Sequence, residues 1–372
     1  MQPIREEPQV KIAAAILGIV LFGVTISSVL RSLVVPGGTI TRMTKVTDQL
    51  VAGVFKVATA PFETYERRNS ILAAQPAAVL FVILGAWAMS FLIGATLLIY
   101  PAAASFPAAL EEAGSSLVTL GIIHGPGAYA TTVDVITAFT GMIVVALQIA
   151  YLPTLYAAYN QRETEVTLLK SEAGQPAWGP EILRRAAMGD YVADLANIYH
   201  SWEQWSARVA ETHSSYPLLL RFRSPGNNNS WIVSLLAVLD AASMHLALAP
   251  QNAPMQARLC VQAGFQALRD VAQSLRIPFD PDPLPTQPIA VSQAEFDEAV
   301  EKLRLAGFPI ERDGPDAFRH FQGWRVNYEY VIHDLCFRVD AVPAPWSGKR
   351  RWKNAEVRFA TTPNRTPDNP EG

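Results

Sequence analysis

The sequence predicts an all-α integral membrane protein: three transmembrane helices, a re-entrant helix between the second and third, and then an α-helical cytoplasmic domain. Three observations predict it. Half of the 372 residues are hydrophobic and only 17% are charged, where an ordinary soluble domain carries about 25% charge. The apolar excess lies before residue 160, and charged residues return at ordinary density after it. Between the apolar runs, lysine and arginine fill the first connection and are absent from the second. Length alone allows more than one domain, and the composition shift sets the main boundary near 160.

The first run, Ile12 to Leu30, is nineteen uncharged residues bracketed by Lys11 and Arg31. That suits a bilayer core, which needs about 20 apolar residues in helix. It is too long for a signal peptide's apolar region, and ISSVLRSLVVP makes a poor cleavage site. The second run, Ile71 to Tyr100, is thirty residues without a charge, with Trp87 near its middle. The third, Val135 to Tyr159, ends in Tyr151, Tyr156 and Tyr159, an interfacial pattern. Glycine and proline inside these runs are tolerated in membranes.

Orientation follows from the basic residues. Arg31, Arg42, Lys45, Lys56, Arg67 and Arg68 lie between the first two runs, while residues 101–133 hold none. Basic connections stay in the cytoplasm. The expectation is therefore a multi-pass protein of the plasma (cell inner) membrane. Its N-terminus lies outside, 31–70 inside, 101–133 outside, and everything after 160 inside. DQLVAGVFKVATAPF (48–62) reads as an amphipathic helix on the inner surface.

The outer connection is odd for a loop in water. Ser105 can cap a helix and Pro107 suits its first turn, and AALEEAGSSLVTL continues for about twelve residues. Too short to cross, this helix (105–120) is expected to dip into the membrane and return through GIIHGPGAY. Non-helical backbone at that depth must be buried in protein or line a water-filled cavity.

Here the sequence resembles the two-helix pore-loop module (ion channel 2 type) of tetrameric potassium-channel-like membrane proteins, whose pore helix and filter read A-L-W-W-S-x-x-T-x-T-T-V-G-Y-G-D. Laid on this chain without gaps, Ala109 and Leu110 match, Glu111 and Glu112 take the aromatic pair, and Ser116 takes a threonine. Thr119, Leu120 and Gly121 take T-V-G. Ile122, Ile123 and His124 stand where Y-G-D is usual, so the filter is degenerate. The linker containing Pro36, the stretch ERRNSI and the following span look like one bacterial branch of such proteins. The resemblance covers roughly residues 12 to 165. It implies a homotetramer around a cation pathway, with Thr119–His124 as filter candidates and Glu111, Glu112, Ser115 and Ser116 as polar pore-helix candidates. A filter needs successive carbonyls turned toward the ion, and an isoleucine at positive φ is an outlier. The usual potassium filter is therefore not expected to form.

The replacements admit two readings each. Glu111 and Glu112 either form a ring of acids near the pathway or sit wetted at the outer interface. His124 is a pH-sensing group at the outer mouth or a plain loop residue. Thr119 and Ser116 offer oxygens to ions or satisfy their own helix.

The rest reads as a helical cytoplasmic domain over 161–345 and a disordered tail over 346–372. QRETEVTLLKSE continues from the third span, and 180–212 carries one helical pattern in which the aromatics of HSWEQW (200–205) read as core. NNNSWIVSLLAVLDAASMHLAL (227–248) reads as a buried core helix, with Asp240 as a satisfied polar group, rather than a fourth span. Further helices are expected at 254–276, after the capping box SQAE (292–295), and at about 315–339. IPFDPDPLPTQPIA (277–290) is a proline-rich connector. SGKRRWK (347–353) either touches anionic lipid or is solvated. Cys260 and Cys336 read as buried reduced thiols, with a disulfide as the other reading.

A net charge of −3 excludes the basic face of a nucleic-acid binder. No nucleotide motif or metal spacing appears, so no cofactor is expected. The domains read as 1–35, 36–70, 71–160, 161–345 and 346–372. Two functional readings remain: a cation channel with the atypical filter TLGIIH and a regulatory or assembly domain, or a non-conducting scaffold or sensor that keeps the channel fold and recruits an unknown cytosolic partner. An enzyme has least support, since no nucleophile or metal converges on His124 with Glu111 or Glu112. The expected partners are a monovalent cation if it conducts, other copies of itself, and the lipid bilayer.

Overall fold

The computed structural model describes residues 8–35 and 41–351. Among them there are α-helices and no strands. In chain order the helices are α1 (Pro8–Leu33), α2 (Arg42–Thr59), α3 (Tyr65–Leu72), α4 (Gln75–Ile99), α5 (Phe106–Leu117), α6 (Ala128–Leu168) and α7 (Lys170–Ala173). There follow α8 (Gly179–Met188), α9 (Leu195–Ser215), α10 (Trp231–Leu248), α11 (Met255–Leu275), α12 (Gln293–Leu305), α13 (Gly314–Arg325) and α14 (Glu329–Val339). Pro36 and the remainder of 36–40 lie outside the described residues, as do Trp352, Lys353 and everything after them.

The chain divides into two units, Met1–Ala58 with Ala74–Tyr156, and Thr59–Ala73 with Ala157–Gly372. Four helices or helix runs are long and apolar enough to cross a membrane: Pro8–Leu33, Tyr65–Ile99, Ala128–Ala173 and Trp231–Leu248. This is the pattern of a multi-pass membrane protein. The four differ in one respect. The apolar windows of the first three are 17–28% buried inside the protein, and that of the fourth is 94% buried.

In the first unit α1 packs along α4 through small residues, as helices do in lipid. A Cβ on Gly18 would lie 2.8 Å from the Gly94 carbonyl oxygen. Phe22 meets Phe91 edge to face at 4.9 Å. Polar side chains here bond one another: Thr25 donates to Ser90 Oγ at 3.0 Å, and the Trp87 indole to Ser28 Oγ at 3.2 Å. The α2 helix begins six residues before the stretch predicted for it, and Val46, Leu50, Val54 and Val57 form an exposed apolar stripe along it.

The second unit is built around α10, which is apolar on every side and buried over nearly its whole length. Close approach to it needs small residues: a Cβ on Gly264 of α11 would meet Leu239 at 2.4 Å. Trp202 and Trp205 of HSWEQW are core, their tilted rings 4.6 Å apart and that of Trp205 6.2 Å from Trp231. Cys260 and Cys336 are buried free thiols. The capping box at Ser292 and Glu295 forms as expected.

Three sequence expectations need correction here. The helical pattern over 180–212 is broken between α8 and α9, where Asp190 takes a positive φ of 56°. The last helix is likewise two, α13 and α14. The segment 346–351 is not a solvated tail. The Arg350 guanidinium is buried and donates to the carbonyls of Ala341, Val342 and Ser347 at 2.7–2.8 Å. Arg351, with the rest of the basic run up to it, is among the described residues, and 352–372 lies outside them.

Residues 59–73, expected as the end of the linker (to 70) and the first residues of the second span (71–73), belong to the second unit. Arg68 donates to the Thr59 carbonyl at 2.8 Å and pairs with Asp340 at 2.5 Å. Arg223 holds the same segment through Tyr65 and Asn69 while donating to the carbonyls of Val339 and Asp340. The C-terminal part of α6 is held similarly. Arg162 is buried, donating to the carbonyls of Leu219 (2.9 Å) and Phe222 (2.7 Å) and pairing with Glu163. Its Nη1 reaches His213 Nε2 at 3.0 Å. An arginine can only donate, so that ring nitrogen accepts and His213 is neutral. Burial first, and then the Arg162 charge, push the His213 pKa well below its usual value.

Candidate functional site: the segment between α4 and α6

The site is built by α5 and the non-helical chain that follows it. Ser105 takes extended φ and ψ and accepts from the Ala108 N–H at 3.4 Å, and proline occupies the first turn. The helix stops after Leu117 because Thr119 turns to φ 58° and Gly121 to φ 62°. Positive φ is cheap for glycine and costly for a β-branched threonine. Neither Ile122 nor Ile123 is among the residues at positive φ. The isoleucines avoid the left-handed region, and the positive φ falls on Thr119 and Gly121.

What holds this turn is the back of its own helix. Ser115 Oγ accepts from the N–H of Ile122 at 2.9 Å and of Ile123 at 3.1 Å, and its carbonyl accepts from Leu120 N–H at 2.9 Å. Two residues further on, Glu112 Oε1 accepts from the Gly125 N–H at 2.7 Å. The approach needs glycine, since a Cβ at 125 would sit 2.6 Å from that oxygen. Ser116 donates to Asp134 Oδ1 at 2.7 Å, tying α5 to the first turns of α6. One further glycine sets their spacing: a Cβ on Gly141 would lie 2.2 Å from the Leu117 carbonyl.

The candidates therefore separate. Glu112, Ser115 and Ser116 are buried and act on backbone or on Asp134. Glu111 faces outward. Thr119, Leu120, Gly121, Ile122, Ile123 and His124 form one exposed run, with Leu120 at 63% and Ile122 at 72% exposure. Glu112 is buried and braces the returning chain through the Gly125 N–H. Asp134 and Gly141 were not singled out in the sequence. Only an acid immediately before an apolar run, and a glycine inside that run, pointed to them. Asp134 Oδ2, Thr137 Oγ1 and Gln148 Oε1, all on α6, are buried without a hydrogen-bond partner among the described residues.

No group of three or more His, Cys, Asp or Glu side chains placed to hold a metal occurs among the described residues. Comparison with family models, with curated proteins and with solved structures finds no match. The class defined by fold and site together is an all-α protein with candidate membrane spans and a short capped helix whose chain folds back on itself between two of them.

Proposed function

We propose that the chain is one subunit of a homotetrameric, potassium-channel-like cation pore, with the run Thr119–His124 around the central axis as an atypical filter. The observation that carries this reading is the segment between α4 and α6: a capped twelve-residue helix, then ten residues of non-helical chain pinned to that helix by Ser115 and Glu112. Such backbone is tolerated at membrane depth only where protein buries it or water meets it. Its own helix supplies the first condition, and the exposed side supplies a face for the second.

Three spans, α1, α4 and the first part of α6, are favoured over four, because α10 has no apolar face left for lipid. The distribution of Lys and Arg then puts the N-terminus outside and the second unit in the cytoplasm of the cell's inner membrane. The apolar stripe of α2, with Arg42 and Lys45 beside it, suits a helix lying on the inner surface. Within this reading Glu111, rather than Glu112, is the acid available to a cation path. The orphan oxygens on α6 suit contact with water or a second copy.

A second reading keeps the assembly without conduction. It is favoured by the apolar side chains of Leu120, Ile122 and Ile123 at the exposed positions. Chemical cross-linking in native membranes tests what the two share. A ladder ending at the tetramer is expected, and a strict monomer removes the pore.

A further inference from the structure

The second unit contains a cleft that the pore reading leaves unused. Its volume is about 540 Å³, within the roughly 300–1,000 Å³ that ligand pockets occupy. Trp178 and Trp346 form its floor, ring centroids 5.6 Å apart and edge to face. α12 forms one wall and presents Glu295, Glu298 and Lys302.

The floor is held in place at some conformational cost. Trp346 takes φ 60°, where a bulky side chain is an outlier. Its carbonyl accepts from Arg325 Nη2 at 2.7 Å and from His333 Nε2 at 2.9 Å. Gly348 closes the turn at φ 75°, and a Cβ there would lie 2.7 Å from the His333 ring. Residues in sparsely populated conformations persist only where the surroundings over-determine them, and they gather at ligand sites.

The chemistry of the walls selects a charge. Lys302 Nζ lies 5.2 Å from the centre of the Trp178 ring, so that face already accepts a cation. The same ammonium is 2.8 Å from Glu298 Oε1, in a solvent-swept pair of the kind that contributes little to stability. Glu295 is held in its ionised form by hydrogen bonds from the Ser292 hydroxyl and N–H. Two carboxylates against one mobile ammonium leave the rim negative above an aromatic floor.

We propose that this cleft binds a small organic cation, whose charged head displaces Lys302 from the face of Trp178 and whose apolar body lies against Trp346. The probes are choline and its uncharged isostere 3,3-dimethyl-1-butanol, titrated calorimetrically into the full-length protein in detergent. Choline is expected to bind about tenfold tighter than the isostere, in line with a partly desolvated cation–π contact. Lys302→Met is expected to tighten choline several-fold, because it removes the built-in competitor and one positive charge. Glu298→Gln, an exposed change that leaves the fold alone, is expected to weaken it, and Trp178→Leu to abolish it.

Equal affinity for the two probes overturns the proposal, as does no heat from either, weaker binding to Lys302→Met, or choline binding that survives Trp178→Leu. The titration needs no ion flux, so a silent pore leaves the cleft standing and an empty cleft leaves the pore standing.

Discussion

Arg325→Met removes the fully buried positive centre of an ion network. Arg325 Nη1 meets Asp240 Oδ2 at 2.5 Å, its Nε meets Glu329 Oε1 at 2.7 Å, and Nη2 donates to the Trp346 carbonyl. Asp240 also accepts from the Tyr328 hydroxyl at 2.9 Å. Taking one partner out of a buried pair costs about 3–5 kcal/mol, because the other charge is left uncompensated. Burial has already pushed the Asp240 carboxyl up to about 6, with Arg325 opposing it. Without the guanidinium it rises further, Asp240 is neutral at pH 7, and the cost falls at the lower end, about 3 kcal/mol. For a domain of this size 1 kcal/mol moves Tm by about 2–4 °C, so the expected drop is about 6–12 °C. Near-ultraviolet circular dichroism of the tryptophans during thermal unfolding of the full-length protein in detergent reads it. Combining Arg325→Met with Asp240→Leu is expected to recover most of the loss, since a well-packed apolar pair often replaces an ion pair at little cost. A single variant that melts within 1–2 °C of the parent, at the scale of an ordinary surface change, refutes the reasoning. So does a double variant that falls by as much as the two singles together.

Three further outcomes are expected. Ser115→Ala strips the acceptor from the Ile122 and Ile123 N–H groups, so hydrogen exchange across 119–125 in nanodiscs should speed by at least about tenfold, the equivalent of about 1.4 kcal/mol; unchanged protection means the turn is held by something else. Gly141→Ala drives a Cβ into the Leu117 carbonyl and should reduce the yield of assembled protein on size-exclusion chromatography, whereas a parental profile means α5 and α6 do not approach as described. His245, pushed down to about 4 by burial, resists a proton that the unfolded chain accepts from about pH 6.5, so its contribution is complete above 6.5 and is lost as pH falls toward 4, by up to about 3 kcal/mol. Asp240, raised, works in the opposite sense between about pH 4 and 6 and offsets part of that loss. His245→Gln should therefore flatten the acid-side fall of Tm, and identical slopes in parent and variant contradict the assignment.

Much of the fold is legible because hydrophobic burial leaves a long trace. The runs at 12–30 and 135–159 each became helix, 71–100 did so from Gln75 to Ile99 after a turn at 73–74, and α5 announces itself through Ser105 and Pro107. The capping box at Ser292 is equally local, with donor and acceptor three residues apart. What the sequence did not reveal depends on contacts far apart in the chain. Arg68 meets Asp340 across 272 positions, so nothing near ERRNSI says that it belongs to the second unit. Arg350 sits in a run that reads as solvated charge, yet its guanidinium satisfies buried carbonyls that carry no side-chain signature. Glu112 was singled out, but not its bracing role, since an acid bound to one backbone N–H looks in sequence like an acid in water. The breaks after α8 and α13 fall inside an unbroken apolar period, where local turns at Asp190 and at 326–328 override it.

The proposed pore is tested most directly by single-channel and flux recording from purified protein in liposomes, with potassium inside and sodium outside. Cation currents that reverse between zero and the potassium potential, and that shrink in Glu111→Gln, are the expected result. Repeated silence from vesicles in which cross-linking has confirmed the tetramer contradicts conduction and leaves the non-conducting scaffold.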